Sequence, residues 1–68
     1  MATQAVKYLE TAAEKSPRDP GHHLHLGLAY VQTGDFAKAK ESLKRAIALQ
    51  PNLSESPEAK KALAIVGA

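Results

Sequence analysis

Small and large apolar residues recur at helical spacing between Pro20 and Leu53, and this pattern is what most limits the fold. Small residues would let two helices approach closely, and here they are Gly27, Ala39 and Ala46. Large side chains would fill the space between the helices, and here they are Leu26, Tyr30, Phe36 and Leu43. Because side-chain ridges of one helix pack into the grooves of another, the pattern predicts an antiparallel helical hairpin.

The pattern extends to both sides of this segment. An offset of 34 residues pairs Ala5 with Ala39, Leu9 with Leu43, Ala12 with Ala46 and Pro17 with Pro51. We therefore expect a single domain over residues 1–68 that begins inside a repeat. Residues 1–17 would be the second helix of a partial repeat, residues 20–53 a full repeat, and residues 54–68 a closing helix.

These intervals are similar to those of the tetratricopeptide repeat family. The matching positions are the Leu26-Gly27 pair, Tyr30, the run 34–36, and Pro51. The resemblance implies an all-α fold of four helices, in which one antiparallel hairpin has a flanking helix on each side, as in a fragment of an α-solenoid. The closing stretch SPEAKKALAIVGA also resembles the end of bacterial proteins of this family, which implies a C-terminal fragment of such a protein.

Local signals predict where the first three helices begin and end. Apolar spacing predicts the first helix over residues 2–15, before a break at 16–20. Asp19 before Pro20 suits the start of the second helix, and Gly34 can take the left-handed conformation that ends it. Asp35 would cap the third helix, which should end near residue 50. The apolar face of this third helix is predicted as Phe36, Ala39, Leu43, Ala46 and Ile47.

The fourth helix is expected after a loop over residues 51–55. Ser56 and Pro57 supply a cap and a first-turn proline, and the buried face is predicted as Ala59, Ala62, Leu63 and Val66. Lys60 and Lys61 stand where the repeat offset would place another Leu-Gly pair. A charged outer side favours a terminal cap, and the alternative is an ordinary repeat that is cut short.

The second helix carries two apolar stripes, although one core face would suffice. One contains His23, Leu26, Gly27 and Tyr30, and the other Leu24, Leu28 and Val31. In the tetratricopeptide family, the first helix of each hairpin lines a concave groove for partner segments. The resemblance therefore implies partner-binding residues at Leu24, His25, Leu28, Val31, Gln32 and Asn52. The alternative is that the second stripe packs on an adjacent repeat or on another copy of the chain.

Other binding modes have less support in the sequence. The family's clamp on a C-terminal carboxylate uses Lys, Asn and Arg, whereas Gly21, His25 and Leu28 occupy the corresponding groove positions here. An apolar or helical peptide suits these residues better. His22 and His25 stand three residues apart, but a stable metal site needs three or four ligands with supporting hydrogen bonds. We expect neither a metal nor any other cofactor.

Composition narrows the function classes further. A net charge of +2, without an aromatic platform beside the basic residues of the third helix, argues against nucleic acid as a partner. No apolar run of about 18 residues is present for a membrane span. Serines and carboxylates are scattered, so we expect no enzymatic activity. Cys is absent, which leaves localisation unknown because such a chain suits reducing and oxidising compartments alike.

The sequence thus predicts a non-catalytic module for protein–protein interaction or scaffolding, which binds a peptide or helical segment in its groove. The alternative is a structural self-association element at the end of a longer array. A homo-oligomer, most simply a dimer, is expected at high concentration because stacked repeats generally need about three units for stability.

Overall fold

The computed structural model describes residues 2–67, apart from the side chain of residue 2, and this part of the chain is helical without any strand. The helices are α1 (Ala2–Lys15), α2 (Pro20–Thr33), α3 (Phe36–Leu49) and α4 (Pro57–Val66). A 3₁₀ helix covers Pro51–Glu55 between α3 and α4. The predicted all-α fold, with a central hairpin and one helix on each side, is confirmed.

The ends of α2 follow from local chemistry. The Asp19 carboxylate accepts a hydrogen bond from the Gly21 amide at 2.9 Å, and Pro20 occupies the first turn, where a missing N–H costs nothing. At the other end, Gly34 has φ +81°, and the amide of Asp35 bonds the Tyr30 carbonyl at 2.9 Å. Glycine adopts this left-handed conformation without a Cβ clash, so α2 stops there as predicted.

The starts of α3 and α4 differ from the predicted caps. Asp35 and Ser56 occupy the N-cap positions, but neither side chain makes a capping hydrogen bond. Their carbonyls begin the helices instead, with Asp35 accepting from the Ala39 amide and Ser56 from the Lys60 amide. The Asp35 carboxylate lies 3.9 Å from the Lys38 ammonium. These two caps therefore act through the backbone.

Residues 51–55 were predicted as a loop, and this is wrong because they close two 3₁₀-type bonds. The Leu53 amide bonds the Gln50 carbonyl at 3.0 Å, and the Ser56 amide bonds the Leu53 carbonyl at 2.9 Å. Pro51 tolerates this arrangement since a first-turn residue needs no donor. Helical backbone thus continues almost without interruption from α3 into α4.

Two adjoining apolar clusters form the core, and α2 contributes to both. One cluster joins α2 to α3 and α4, and its buried members are Leu24, Leu43, Ala46, Ala59 and Ala62. The other joins α1, α2 and α3, and its buried members are Ala13, Leu26, Tyr30 and Ala39. Helix α2 is therefore covered on three sides.

The hairpin is tight where α2 meets α3. A Cβ atom built at Gly27 would lie 2.8 Å from Cγ of Leu43, which is closer than carbon atoms pack. The predicted close approach at this glycine is confirmed. Phe36, by contrast, is 47% exposed and does not belong to the buried face of α3. It is the first residue of α3, directly after the turn at which α2 ends, so it lies at the end of the hairpin and not between the two helices.

The apolar face predicted for α4 is only partly buried. Ala59 and Ala62 are buried, whereas Leu63 and Val66 are half-buried at the edge of the core. Alanines at the contact let α4 lie close to α2 and α3, and the longer side chains remain at the margin.

Candidate functional site

An open groove lies between α2 and α4. It has a volume of about 240 Å³, and its lining residues are Leu28, Val31 and Gln32 from α2 with Glu58, Lys61, Ala62 and Ile65 from α4. Buried Ala59 and Ala62 hold α4 against the core, which leaves the 58–61–65 side of the helix turned toward the groove. We call this surface the α2–α4 groove.

The groove has an apolar floor and a polar rim. Leu28 and Val31 are half-buried against the core, and Ile65 is 49% exposed. Glu58 and Lys61, of opposite charge, stand beside them on α4, and Gln32 stands on α2. A floor of this kind binds apolar side chains, while the rim can orient a ligand through polar contacts.

The structure brings together only some of the predicted partner-binding residues. Leu28, Val31 and Gln32 line the α2–α4 groove, but His25 and Asn52 are exposed elsewhere and do not line it. Leu24 is 7% exposed and packs among Leu43, Ala46, Ala59 and Ala62. The placement of Leu24 in a groove is wrong, because the fourth helix covers this part of the stripe. Leu24 packs against α3 and α4 instead.

The α4 side of the groove was missed in the sequence. Glu58, Lys61 and Ile65 recur at three- and four-residue intervals, which is the signal of a shared helical face. The alanines and the lysine pair of the same helix predicted a buried face and a terminal cap, and neither feature indicates a groove wall.

A second opening, the α1–α3 cleft, lies on another side of α2. No Cα atom of α1 comes within 8 Å of one in α3 among the described residues, so both helices pack on α2 with a space of about 540 Å³ between them. Its walls carry both charge signs, with Glu10 and Glu14 from α1 opposite Lys38, Glu41 and Arg45 from α3. Arg45 pairs with Glu41, one helical turn before it on α3, at 3.3 Å.

Two buried polar side chains tie α2 to the α1 side of this cleft. The Tyr30 hydroxyl donates a hydrogen bond to the Glu10 carboxylate, and the His23 ring donates from Nε2 to the Pro17 carbonyl at 2.7 Å. Burial, and then the bond and charge of Glu10, raise the pKa of Tyr30 to about 12 because both favour the neutral phenol. His23 is thus a buried residue that packs on the α1 side of α2.

The histidines do not gather into a metal site. His22 lies 3.4 Å from the Asp19 carboxylate, and His25 is exposed. Within residues 2–67, no three His, Cys, Asp or Glu side chains are grouped so that they could hold a metal ion. The helices in this same part of the chain are also too short and too polar for any of them to cross a membrane.

Comparison with known proteins agrees with the helical arrangement. A family model for the tetratricopeptide repeat matches residues 1–66. The chain is 39% identical over 56 residues to cellulose synthase operon protein C of Escherichia coli K12. The aligned segment is 82% of this chain and 5% of that protein. The chain is 30% identical to the antiviral innate immune response effector IFIT1 of Homo sapiens, over 82% of this chain and 12% of that protein.

The chain therefore spans only a small part of these relatives. No solved structure matches it. Tetratricopeptide repeats generally mediate protein–protein interactions. Since the family model covers nearly the whole sequence and the helices form the hairpin that its spacing predicts, the chain belongs to the tetratricopeptide repeat family.

Proposed function

We propose that this chain is a non-catalytic interaction module that binds an apolar or helical peptide segment in the α2–α4 groove. One observation carries the proposal: Ile65, 49% exposed, lies with half-buried Leu28 and Val31 along an open groove. Exposed Ile costs free energy in water, and a peptide that covered it would recover that cost.

The rim supports a peptide ligand with some directionality. Glu58 and Lys61 occupy successive turns of α4, so a bound helix with a basic and an acidic residue one turn apart would pair with both. Gln32 adds a donor and an acceptor on the α2 side. We therefore propose a segment with two or three apolar anchors and mixed charge.

Partner residues Leu28, Val31 and Gln32 belong to this proposal, and His25 and Asn52 do not. Both lie outside the groove lining, so substitution of either to Ala should leave peptide affinity unchanged. A non-catalytic role is consistent with the hydrogen bonds of two polar side chains. The His23 ring donates to the Pro17 carbonyl, and the Ser54 hydroxyl donates to the Pro51 carbonyl.

The test is selection of binders from a displayed library of helical and extended peptides on the immobilised chain, followed by titration of the strongest binder. Ile65→Asp should lower affinity by about tenfold or more, because it places a charge on the apolar floor. Leu28→Asp should do the same, and thermal melting of both variants would show whether they remain folded.

Lys44→Ala is the matched control on the basic side of α3. Lys44 is exposed, so its loss should change affinity by less than about 1 kcal/mol and mainly alter salt sensitivity. If Lys44→Ala weakens binding more than Ile65→Asp at both low and high salt, the site lies on α3 and the proposal fails.

We also propose that the chain forms a dimer at high concentration. Tyr8 is 75% exposed on α1 and Ile65 49% exposed on α4, so apolar surface remains at both ends of the helical array. Sedimentation equilibrium should show a mass above 7.2 kDa at millimolar protein and the monomer mass after dilution. A 7.2 kDa species throughout this range would contradict it.

A further inference from the structure

The α1 wall of the α1–α3 cleft carries two carboxylates without a basic partner. Glu10 and Glu14 lie one helical turn apart, and both line the cleft. Glu10 accepts the hydrogen bond of the Tyr30 hydroxyl. Within residues 2–67, no lysine, arginine or histidine forms an ion pair with either carboxylate. A positively charged ligand would therefore meet acceptors on this wall that the described part of the chain leaves open.

The two cations of the α3 wall already have carboxylate partners close in sequence. Arg45 pairs with Glu41 at 3.3 Å, and the Lys38 ammonium lies 3.9 Å from the Asp35 carboxylate. Lys38 also lies 5.8 Å from the centre of the Tyr30 ring, which is within the range of a cation–π contact. Three carboxylates thus line the cleft against two cations, both of them paired. The local charge favours a cationic ligand, although the whole chain carries a net charge of +2.

A buried hydroxyl adds a polar group at the base of the cleft. Ser42 on α3 is 7% exposed and lines the cleft, and its hydroxyl forms no hydrogen bond with another residue in the described part of the chain. Buried hydroxyls usually have a partner, so this one is open to a ligand. Leu26 and Ala13, which are 7% and 8% exposed, line the cleft as well. The cleft therefore offers a polar contact and apolar contacts at its base.

We propose that the α1–α3 cleft receives an arginine side chain from an extended segment of a partner protein. A guanidinium has five N–H donors in a planar fork, whereas a lysine ammonium is a compact charge with three. The Glu10 and Glu14 carboxylates and the Ser42 hydroxyl together offer more acceptors than an ammonium can use. This surface is separate from the α2–α4 groove, because the two openings share no lining residue.

The size of the cleft favours a peptide segment over a single small molecule. Its volume of about 540 Å³ leaves room beside one guanidinium for the residues that flank the arginine. Leu26 and Ala13 would contact apolar neighbours of that arginine. The occupant is therefore a short segment with arginine next to apolar residues.

A second copy of the chain does not supply this arginine. The sequence contains two arginines, and Arg45 is itself part of the cleft wall. Arg18 lies in the turn between α1 and α2, next to Asp19, whose carboxylate is bound to the Gly21 amide at the start of α2. An inserted Arg18 would carry the Asp19 carboxylate toward the two glutamates of α1, and like charges repel. The arginine thus comes from a different protein.

The probe is an acetylated and amidated pentapeptide with one central arginine between leucines and alanines, titrated into the ¹⁵N-labelled chain. Saturable amide shift changes should appear at Glu14, Tyr30 and Ser42. The same peptide with citrulline, which is neutral and has nearly the shape of arginine, should bind about tenfold or more weakly because the charge-assisted hydrogen bonds are lost. The lysine peptide and acetyl-arginine amide alone should also bind more weakly than the arginine peptide.

A double variant, Glu10→Gln with Glu14→Gln, tests the acidic wall. It removes both charges, and the new amide at position 10 can still accept the bond of the Tyr30 hydroxyl, so the fold should persist in a thermal melt. Affinity for the arginine peptide should fall about tenfold. Glu55→Gln is the matched control, because Glu55 is exposed outside the cleft, and it should bind within about twofold of the unaltered chain. Ile65→Asp should do the same, so a failure of the α2–α4 groove is distinguishable from a failure of the cleft.

Four results would each overturn the inference. The first is absence of saturable binding, and the second is equal binding by the arginine peptide and either the citrulline or the lysine peptide. The third is equal binding by acetyl-arginine amide, since a small molecule would then suffice. The fourth is a monomer–dimer equilibrium that Arg18→Gln abolishes, since a second copy would then be the occupant.

Discussion

At the scale of single residues, Gly27 determines how closely the hairpin can pack. Its backbone lies against Leu43, which is completely buried, and no other helical glycine meets a side-chain carbon atom so closely. Two effects compete on substitution, since a larger residue gains helix propensity of up to about 1 kcal/mol but overpacks the core by about 1 to 3 kcal/mol. An added Cβ atom would lie 2.8 Å from the fully buried Leu43 side chain, which has little room to move away, so overpacking should dominate.

Gly27→Leu should therefore lower the free energy of unfolding by roughly 1 to 3 kcal/mol in urea denaturation. Ala37→Leu, at an exposed position of α3, is the control for added bulk and should change stability by less than about 0.5 kcal/mol. Equal or greater stability for Gly27→Leu would mean that the close approach is absent.

Tyr30 is the second residue whose environment makes a sharp prediction. Its hydroxyl bonds Glu10, whereas Tyr8 is 75% exposed and serves as the matched control. Tyr30→Phe should cost about 0.5 to 1.5 kcal/mol, and Tyr8→Phe should cost close to nothing. Thermal melts of both variants at neutral pH check this difference, and equal costs would show that the Glu10 bond contributes no stability.

The pKa of Tyr30 gives stability a pH dependence of known sign. The ordinary value of 10.0 is raised to about 12 in the folded chain, so the folded state holds its phenol proton more tightly than the unfolded state. The resulting stabilisation is complete below pH 10 and is lost as pH rises from 10 to 12. The Tyr30→Phe variant should lack this component. If both proteins lose stability in parallel across that range, the phenol is not the cause.

At the scale of helices, α2 shows what the sequence could predict and what it could not. Asp19, Pro20 and Gly34 act on the backbone within a few residues, so both ends of α2 were predicted from local chemistry. The location of Leu24 depends on α4, which is more than thirty residues away in sequence, and a stripe pattern does not reveal how many neighbours a helix has. Phe36 was misplaced for a related reason, since helical periodicity does not show where the partner helix ends.

Helix caps allow a test at this scale. Asp19 makes a side-chain capping bond to Gly21, and Ser56 occupies an N-cap position without one. Asp19→Ala should therefore destabilise the fold by about 0.5 to 2 kcal/mol, whereas Ser56→Ala should cost only a few tenths of a kcal/mol. Chemical denaturation of the two variants measures the difference. A cost for Ser56→Ala that equals the cost for Asp19→Ala would contradict the assigned capping bonds.

At the scale of the whole molecule, α2 separates two open surfaces of different chemistry. The α2–α4 groove is apolar with a polar rim, and the α1–α3 cleft carries carboxylates and cations on facing walls. The apolar stripe of α2 indicated the first surface, but four of the seven residues that line this groove come from α4. The α1–α3 cleft depends on the separation of α1 and α3, and the residue pattern of a single helix does not predict that separation. Resemblance to the family predicted the hairpin more fully than it predicted the residues of the groove.

Amide chemical-shift mapping tests most directly whether a peptide partner binds in the α2–α4 groove, as we propose. A ¹⁵N-labelled sample would be titrated with the strongest peptide from the library selection. The largest shift changes should fall on Leu28, Val31, Gln32, Lys61 and Ile65, and the Ile65→Asp variant should show much smaller changes at the same subsaturating peptide concentration. If the largest changes fall on Lys38, Lys40, Lys44 and Arg45 instead, the peptide binds α3 and the account of the groove is wrong.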